Sequence, residues 1–141
     1  MKEKLAILGK GAMIHPVDYY KNLGYEIWTL GTAALDGADR YYELHGIECG
    51  RKCIRSLFRE VYETAEAVGI PVNNSISGMM MQAWLEGFRD IIVDGCPMQS
   101  TKEYIEQRSA VGMMAGYLIG KGIRVRWTHA PVDISYGRIG G

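Results

Sequence analysis

Short apolar runs that stop at a glycine limit strongly how this chain can fold. Lys4 to Leu8 ends at Gly9, and a second such run, Asp90 to Asp94, ends at Gly95. A strand buried on both faces has this pattern, because neither of its faces can carry solvated side chains. The runs therefore predict parallel strands that are covered by helices on both sides of a sheet.

Helical segments alternate with these runs. Between residues 48 and 68 the apolar side chains recur at the spacing of an amphipathic helix. Ser75 or Ser77 can cap a further helix that runs to about residue 88. Two more helices are expected over 17–23 and 101–120. The remaining strands are expected over 25–30, 40–44, 70–72 and, at a sheet edge, 123–127.

This alternation predicts an α/β fold, a single Rossmann-like domain with a mostly parallel sheet and helices on both faces. The length of 141 residues suits one domain. With 48% hydrophobic and 23% charged residues, the chain has the composition of a protein that buries a core. We assign residues 1–127 to this Rossmann-like domain and residues 128–141 to a C-terminal tail without periodicity.

The charge balance limits the classes of partner. Sixteen basic residues offset sixteen acidic ones, so no net field attracts nucleic acid or an anionic membrane. No apolar stretch approaches the roughly 20 residues that span a bilayer, and no signal-like segment follows the N-terminus. We therefore expect a cytoplasmic protein without nucleic-acid or membrane partners. The three cysteines are expected to be reduced thiols.

Two loops are candidate anion sites, because ligands of open parallel sheets bind beyond the carboxyl ends of the strands. Gly9, Lys10 and Gly11 follow the first strand, and glycine lets backbone N–H groups approach a phosphate. A glycine-rich turn without a ligand is the alternative. Ser75 and Ser77 lie at a helix start, where an anion can dock, although a plain helix cap explains them equally well.

A third loop leads into a helix that carries Tyr104, Gln107 and Arg108 on one face. Arg108 can hold a phosphate or carboxylate through two hydrogen bonds. A solvated helix start is the alternative. Glu43 and His45 end the third predicted strand on one face, where they can transfer a proton, hold ribose hydroxyls or serve only the structure.

The cysteines offer little chemistry in the sequence. His45, Cys49 and Cys53 are spaced by four and could align as zinc ligands on a helix, but no fourth ligand follows and ordinary core cysteines have the same pattern. Cys96 has no histidine nearby in sequence to activate it as a nucleophile. We expect no metal and no other cofactor.

A stripe of small residues on the last helix indicates close packing. Gly112, Gly116 and Gly120 recur every four residues, so they could lie against the sheet or against another subunit. The run Met79 to Met81 and three tryptophans add further apolar surface. We therefore expect a homo-oligomer.

Several short segments occur in a characteristic order. They are Leu5 to Gly11, Trp28 to Leu30, Arg40 to His45, Ser75 to Ser77, Glu103-Tyr104 with Gln107-Arg108, and Gly122 to Val125. In this order they resemble small Rossmann-like proteins encoded by phages and prophages. These proteins are similar to the 6-hydroxymethylpterin diphosphokinase (MptE-like) group and to some sialyltransferases. The resemblance covers residues 4–127 and implies a nucleotide-handling core.

Two loops depart from that family. This chain has Gly11-Ala12-Met13 where the family has glycine, proline and serine, and Pro97 stands before Met98 where the family has an aspartate. A possible acid or metal ligand is therefore missing. Phosphoryl or glycosyl transfer needs such a group, so binding without turnover is expected and no catalytic residue is assigned.

The resemblance implies a sponge that sequesters a host immune nucleotide signal in an infected bacterium, an anti-defence role. In that role Gly9 to Gly11, Ser75, Ser77 and Arg108 hold phosphates, Trp28, Tyr41 or Tyr104 stacks on a base, and Glu43 or His45 holds ribose hydroxyls. The alternative is a nucleotide-dependent diphosphotransferase or glycosyltransferase that uses Glu43 or Glu103. A structural protein with a vestigial pocket is a third possibility.

Overall fold

The computed structural model describes residues 3–96 and 102–128, and of residues 102–106 only the backbone. None of the helices in these ranges has the length and hydropathy that a bilayer-spanning segment needs. The elements are β1 (Lys4–Leu8), α1 (Val17–Asn22), β2 (Glu26–Leu30), a short 3-10 turn (Gly31–Ala33), β3 (Arg40–Tyr42), α2 (Arg59–Val68), α3 (Ser75–Leu85), β4 (Asp90–Asp94), α4 (Lys102–Gly120) and β5 (Arg124–Trp127).

The five strands form one parallel sheet in the order β3-β2-β1-β4-β5. The chain adds β2 and β3 on one side of β1 and then returns to add β4 and β5 on the other side. The strand order therefore reverses between β1 and β4. This topology confirms the predicted α/β fold of a single Rossmann-like domain.

The central strand β1 is buried on both faces, as its apolar run predicts. Leu5 and Ile7 belong to the larger core cluster, together with side chains of α3 and α4. Ala6 and Leu8 point to the opposite face, where they pack with Tyr20 of α1. All five side chains are fully buried. The sheet is thus covered by helices on both faces.

The methionine run does not contribute to the surface. Met79, Met80 and Met81 lie in α3 and are completely buried in the core of the single chain. The prediction that these side chains add apolar surface for an oligomer is wrong. A helix whose whole circumference is apolar is enclosed by its own domain.

The helix predicted over residues 48–68 begins only at Arg59. The preceding segment instead returns to the sheet edge, where the N–H of Ile54 donates to the carbonyl of Tyr41 (2.7 Å) and the N–H of Glu43 donates to the carbonyl of Ile54 (2.9 Å). Gly46 and Gly50 adopt φ angles of +77° and +66°, which interrupt a helix. Edge pairing therefore outweighs the helical periodicity of this segment.

The strand predicted over residues 70–72 is also absent. α2 ends at Gly69 with a φ angle of +79°, and the N–H of Ile70 donates to the carbonyl of Ala65 (2.9 Å). Residue 70 therefore completes the end of the helix, a common helix termination. The N–H group of Ile70 is therefore not available to pair with a strand of the sheet.

Gly9 lies where the ends of β1 and β4 approach most closely. Its N–H donates to the carbonyl of Asp94 (2.9 Å). A Cβ atom at this position would overlap the Sγ of Cys96 and lie 2.5 Å from the carbonyl oxygen of Gly95. By contrast, a Cβ atom on Gly116 of α4 would meet no atom within 4 Å.

Substitution of these two glycines by alanine should change the free energy of unfolding in opposite directions. We expect Gly9→Ala to lower the free energy of unfolding by about 2 kcal/mol, because the backbone of two strands must move apart. In the single chain, Gly116→Ala should raise it by roughly 0.5–1 kcal/mol, since alanine favours the helix. Urea unfolding monitored by tryptophan fluorescence measures both values. A neutral Gly9→Ala variant would contradict the close approach.

Candidate functional site

A cavity of about 600 Å³ lies at the carboxyl edge of the sheet. This volume is in the range of about 300–1,000 Å³ that small-molecule sites occupy. Loops after four strands and the starts of two helices line it. The lining residues are Gly9, Lys10, Gly11, Leu30, Thr32, Tyr42, Glu43, Leu44, His45, Ile47, Asn74, Ser75, Ile76, Gly95, Cys96 and Gln107.

The cavity lies where the strand order reverses. Loops following β1 and β4, the two strands on either side of the reversal, both contribute to its wall. Loops that leave neighbouring strands in opposite directions open a crevice between them, which is the usual ligand site of open α/β sheets. The predicted position of the site, beyond the carboxyl ends of the strands, coincides with this cavity.

The loop after β1 uses its backbone N–H groups within the protein. The N–H of Gly9 is bonded to Asp94, and that of Gly11 donates to the carbonyl of Gly95 (2.7 Å). These two N–H groups, which the sequence analysis assigns to a phosphate, are therefore already paired. Lys10 is exposed and lines the cavity, so its side chain is the cation that this loop presents.

Asp94 holds this loop in place from a fully buried position. Its carboxylate accepts hydrogen bonds from the N–H groups of Ile14 (3.0 Å) and His15 (3.3 Å), from the hydroxyl of Tyr20 (2.5 Å) and from the hydroxyl of Thr128 (2.6 Å). Burial alone raises the pKa of Asp94, but the hydrogen bonds from Thr128, Tyr20, Ile14 and His15 outweigh it, so the net pKa lies below the usual value. Asp94 therefore links the ends of β1, α1, β4 and β5.

The start of α3 forms the opposite side of the cavity. Asn74 is the N-cap, since its Oδ1 accepts from the N–H of Ser77 (2.9 Å). Ser77 is fully buried, returns a hydrogen bond to the carbonyl of Asn74 and does not line the cavity. Ser75 does line it, and its Oγ lies 3.4 Å from Nε2 of His45. Of the two predicted serines, only Ser75 is placed to contact a ligand.

Glu43 and His45 come from the loop after β3. The buried Glu43 carboxylate accepts from the N–H of Ile47 (2.7 Å), the N–H of His45 (3.2 Å) and the guanidinium of Arg55 (3.0 Å). Burial raises the pKa of Glu43. The hydrogen bonds from the N–H groups of Ile47, His45 and Gly46 and the charge of Arg55 together lower it by more, so the net pKa is below the usual value. Glu43 orients its own loop, while the exposed ring of His45 is presented to the cavity.

On α4 the cavity is lined by Gln107 and not by Arg108. Arg108 is half-buried next to it, and consecutive helix positions point about 100° apart. The predicted bidentate phosphate ligand Arg108 is therefore not among the lining residues. Tyr104 and Glu103, which share this helix, have side chains that lie outside the described residues, as do Pro97 and Met98.

Two predicted base-stacking residues lie elsewhere. Trp28 is completely buried, and its ring packs against Tyr42 and Phe88 in the core. Tyr41 lies beneath the guanidinium of Arg51, 4.9 Å from ring centroid to cation. Neither residue lines the cavity. A base bound there would instead meet the apolar side chains of Leu30, Leu44, Ile47 and Ile76.

The cysteines differ from the expected three reduced thiols. Cys49 and Cys53 form a disulfide in the segment before α2, and only Cys96 is free. Burial, with a smaller effect of the Asp94 charge, raises the pKa of Cys96 to about 12, so its thiol is protonated at neutral pH. Within the described ranges, no group of three or more His, Cys, Asp or Glu side chains could hold a metal ion.

The chain matches no protein-family model, no curated protein and no solved structure. The resemblance to the MptE-like group therefore stays a prediction. The function is inferred from the geometry of the cavity.

Some lining residues had a sequence signal and others had none. Asn74 directly precedes the first residue of α3, and asparagine is one of the residues preferred at an N-cap. Leu30 precedes a short 3-10 turn that contains Thr32, and Ile47 lies in a segment predicted to border a helix. No local pattern identifies these three, because their place depends on how the β3 loop packs against the end of β2.

Replacement of the Asp94 carboxylate tests its role in stabilising the elements around the cavity. We expect Asp94→Asn to lower the free energy of unfolding by about 3 kcal/mol at pH 7, since the amide has no charge and offers one acceptor to four donors. Chemical unfolding at pH 7 measures the difference. Asp36→Asn is the control, because the Asp36 side chain is 94% exposed, and it should leave stability unchanged.

The stability that the Asp94 carboxylate contributes depends on pH with a defined sign. A folded-state pKa below the unfolded value of about 3.9 contributes stability that is complete above pH 4 and is lost as pH falls through the folded pKa. The gap in stability between the wild type and Asp94→Asn should therefore narrow below about pH 4. A gap that stays constant down to about pH 2.5 would contradict this role of the carboxylate.

Proposed function

We propose that the cavity binds a phosphorylated small molecule, with a nucleotide as the best-fitting class, and retains it without turnover. The observation that carries this proposal is the position of the cavity at the β1/β4 reversal, with Lys10, His45 and the start of α3 on its wall. The Lys10 cation, an imidazole that can donate a hydrogen bond and a helix N-terminus around one crevice favour a ligand with a negative charge.

The phosphate would lie between Lys10 and the first turn of α3. The backbone N–H groups in the first turn of a helix have no acceptor within the helix. Here the side chain of the N-cap Asn74 accepts a hydrogen bond from the N–H of Ser77. The N–H groups of Ser75 and Ile76 have no acceptor among the described residues. Together with the Ser75 hydroxyl and the His45 ring, they provide several donors for one anionic group.

The remainder of the ligand would contact the apolar part of the wall. Leu30, Leu44, Ile47 and Ile76 line it, and the amide of Gln107 supplies a donor and an acceptor at its border. This arrangement of apolar wall and few polar groups is common in sites for a base or a sugar. It differs from the aromatic stacking expected from the sequence.

The state of the two described carboxylates at this edge of the sheet, Glu43 and Asp94, favours retention over catalysis. Glu43 lines the cavity, but its oxygens accept from its own loop and from Arg55, and its pKa is lowered. A general base near neutral pH needs a raised pKa and a free oxygen. Asp94 is fully buried and holds four hydrogen-bond donors. Sequestration of a nucleotide immune signal is the finer form of this proposal and rests on the resemblance to phage proteins.

Loss of the Lys10 charge should weaken binding of phosphorylated ligands specifically. The purified chain is incubated with a panel of linear nucleotides, cyclic di- and trinucleotides, ADP-ribose derivatives and nucleotide sugars, and bound molecules are identified by mass spectrometry after denaturation. We expect Lys10→Ala to weaken the affinity for the recovered ligand about tenfold, the scale of one charge-assisted hydrogen bond. Lys121→Ala removes the same charge at the far end of α4 and is the control.

The outcomes of this experiment separate the hypotheses. An intact ligand whose affinity falls with Lys10→Ala supports retention. A converted product would instead establish the diphosphotransferase or glycosyltransferase alternative. Failure to recover any phosphorylated molecule, or equal binding of a nucleoside and its nucleotide, would contradict the proposal.

We also propose a homo-oligomer that forms through α4. Its glycine stripe faces outward, since a Cβ atom on Gly112, Gly116 or Gly120 would contact nothing within 4 Å, and Met113 and Ile119 are about half-exposed on the same face. The face lacks charged side chains between residues 109 and 120, so a second copy could approach closely.

A charge placed on this face tests the interface. We expect Met113→Lys to reduce the mass measured by light scattering to that of a single chain, because the ammonium would be buried between subunits. Tyr62→Lys on α2 is the matched control, since Tyr62 and Met113 are each 48% exposed. A wild-type mass of one chain would contradict the proposal outright.

A further inference from the structure

The segment from Glu43 to Arg55 forms one wall of the cavity. Leu44, His45 and Ile47 of this segment line it. The N–H of Ile54, which donates to the carbonyl of Tyr41, and the ion pair of Arg51 with Asp36 connect the segment to the rest of the domain. The hydrogen bonds of the Glu43 carboxylate lie within the segment itself. It has no helix or strand of its own apart from the single bridge at Ile54. Such a segment opens more easily than the core.

The disulfide lies at the far turn of this segment and against the neighbouring strand end. A Cβ atom on Gly31 would overlap the Sγ of Cys53 and lie 2.7 Å from the Sγ of Cys49. The absence of a side chain at Gly31 therefore provides the space that the two sulfur atoms occupy. Leu30 and Thr32, on either side of Gly31, line the cavity.

The three cysteines differ in accessibility. Cys49 and Cys53 are partly exposed, so a small molecule can reach them. Cys96 is buried, and its raised pKa of about 12 keeps it in the unreactive thiol form. Thiol chemistry is thus confined to the pair at the cavity wall.

We propose that Cys49 and Cys53 are a reversible redox modification site that controls the order of the cavity wall. The co-reactant is a small-molecule disulfide of the glutathione class. One cysteine thiolate attacks it, forms a mixed disulfide and releases one small thiol. The second cysteine thiolate then attacks the mixed disulfide, closes the Cys49–Cys53 bond and releases the second small thiol.

The electrons and protons balance in this exchange. The protein loses two electrons and two protons, and the small-molecule disulfide gains them as it becomes two thiols. An excess of the reduced thiol drives the reverse reaction. Closing the bond cross-links two positions four residues apart within the segment and holds both sulfur atoms in the space beside Gly31, and reduction releases this constraint. The wall that carries His45 and Ile47 is therefore firmer in the oxidised chain than in the reduced chain.

Hydrogen exchange of the full chain tests this without any cavity ligand, so its result is independent of the proposed nucleotide binding. The protein is equilibrated with oxidised or with reduced glutathione and analysed by mass spectrometry. We expect an intramolecular bond between Cys49 and Cys53 only under oxidising conditions. Amides of residues 43–55 should exchange about tenfold more slowly in that state, as expected for closure of a short loop.

Two variants and one internal reference sharpen the result. The Cys49→Ser and Cys53→Ser double variant should exchange at the rate of the reduced wild type under both conditions. Gly31→Ala keeps both thiols but fills their space, so it should form less of the bond at the same glutathione ratio. The amides of α2 from residue 61 to 68 should exchange equally in both states.

Either of two results would overturn the proposal. The first is stable glutathione adducts on Cys49 or Cys53 without a bond between them. The second is a closed bond with no change in exchange over residues 43–55. Each result is visible in the same mass spectra.

Discussion

A single buried carboxylate joins the parts of the chain that surround the cavity. Asp94 stands at the end of β4 and receives hydrogen bonds from the loop after β1, from Tyr20 of α1 and from Thr128 after β5. A buried charge is tolerated only when its hydrogen-bonding capacity is used, so the four donors and the carboxylate require one another. The carboxyl edge of the sheet is thereby fixed before any ligand contributes.

Glu43 has the same function on the other side of the cavity. Its carboxylate collects two N–H groups of its own loop and the guanidinium of Arg55, which shapes the loop that carries His45. Because both carboxylates are hydrogen-bonded to internal donors, we expect Lys10, His45 and the start of α3 to provide the contacts to a ligand. The protein thus uses its negative charges for its own backbone and presents donors to the ligand. This distribution is the physical basis for proposing an anionic ligand that is held and not converted.

The sequence predicts the site well at the level of loops and less well at the level of side chains. The rule that ligands bind beyond the strand ends selects the loops after β1 and β3 and the start of α3, and all three line the cavity. Arg108 is not among the lining residues, whereas Gln107, which points about 100° away around the helix, is. The choice of Trp28 fails because an aromatic side chain on a central strand is as suitable for the core as for a ligand.

The sequence by itself determined the α/β class, the strands β1, β2, β4 and β5 and the helices α3 and α4, because apolar runs and helical periodicity are local consequences of burial. Only the tertiary structure decided the course of residues 43–58, where pairing of Ile54 with the edge of β3 outweighs helical spacing and Gly31 makes room for the Cys49–Cys53 pair. It also decided that the N–H groups of Gly9 and Gly11 bond to β4 and not to a ligand. The reason is the same in each case: a hydrogen bond or a contact between residues far apart in sequence has no local pattern, so its partner is known only when both ends are placed.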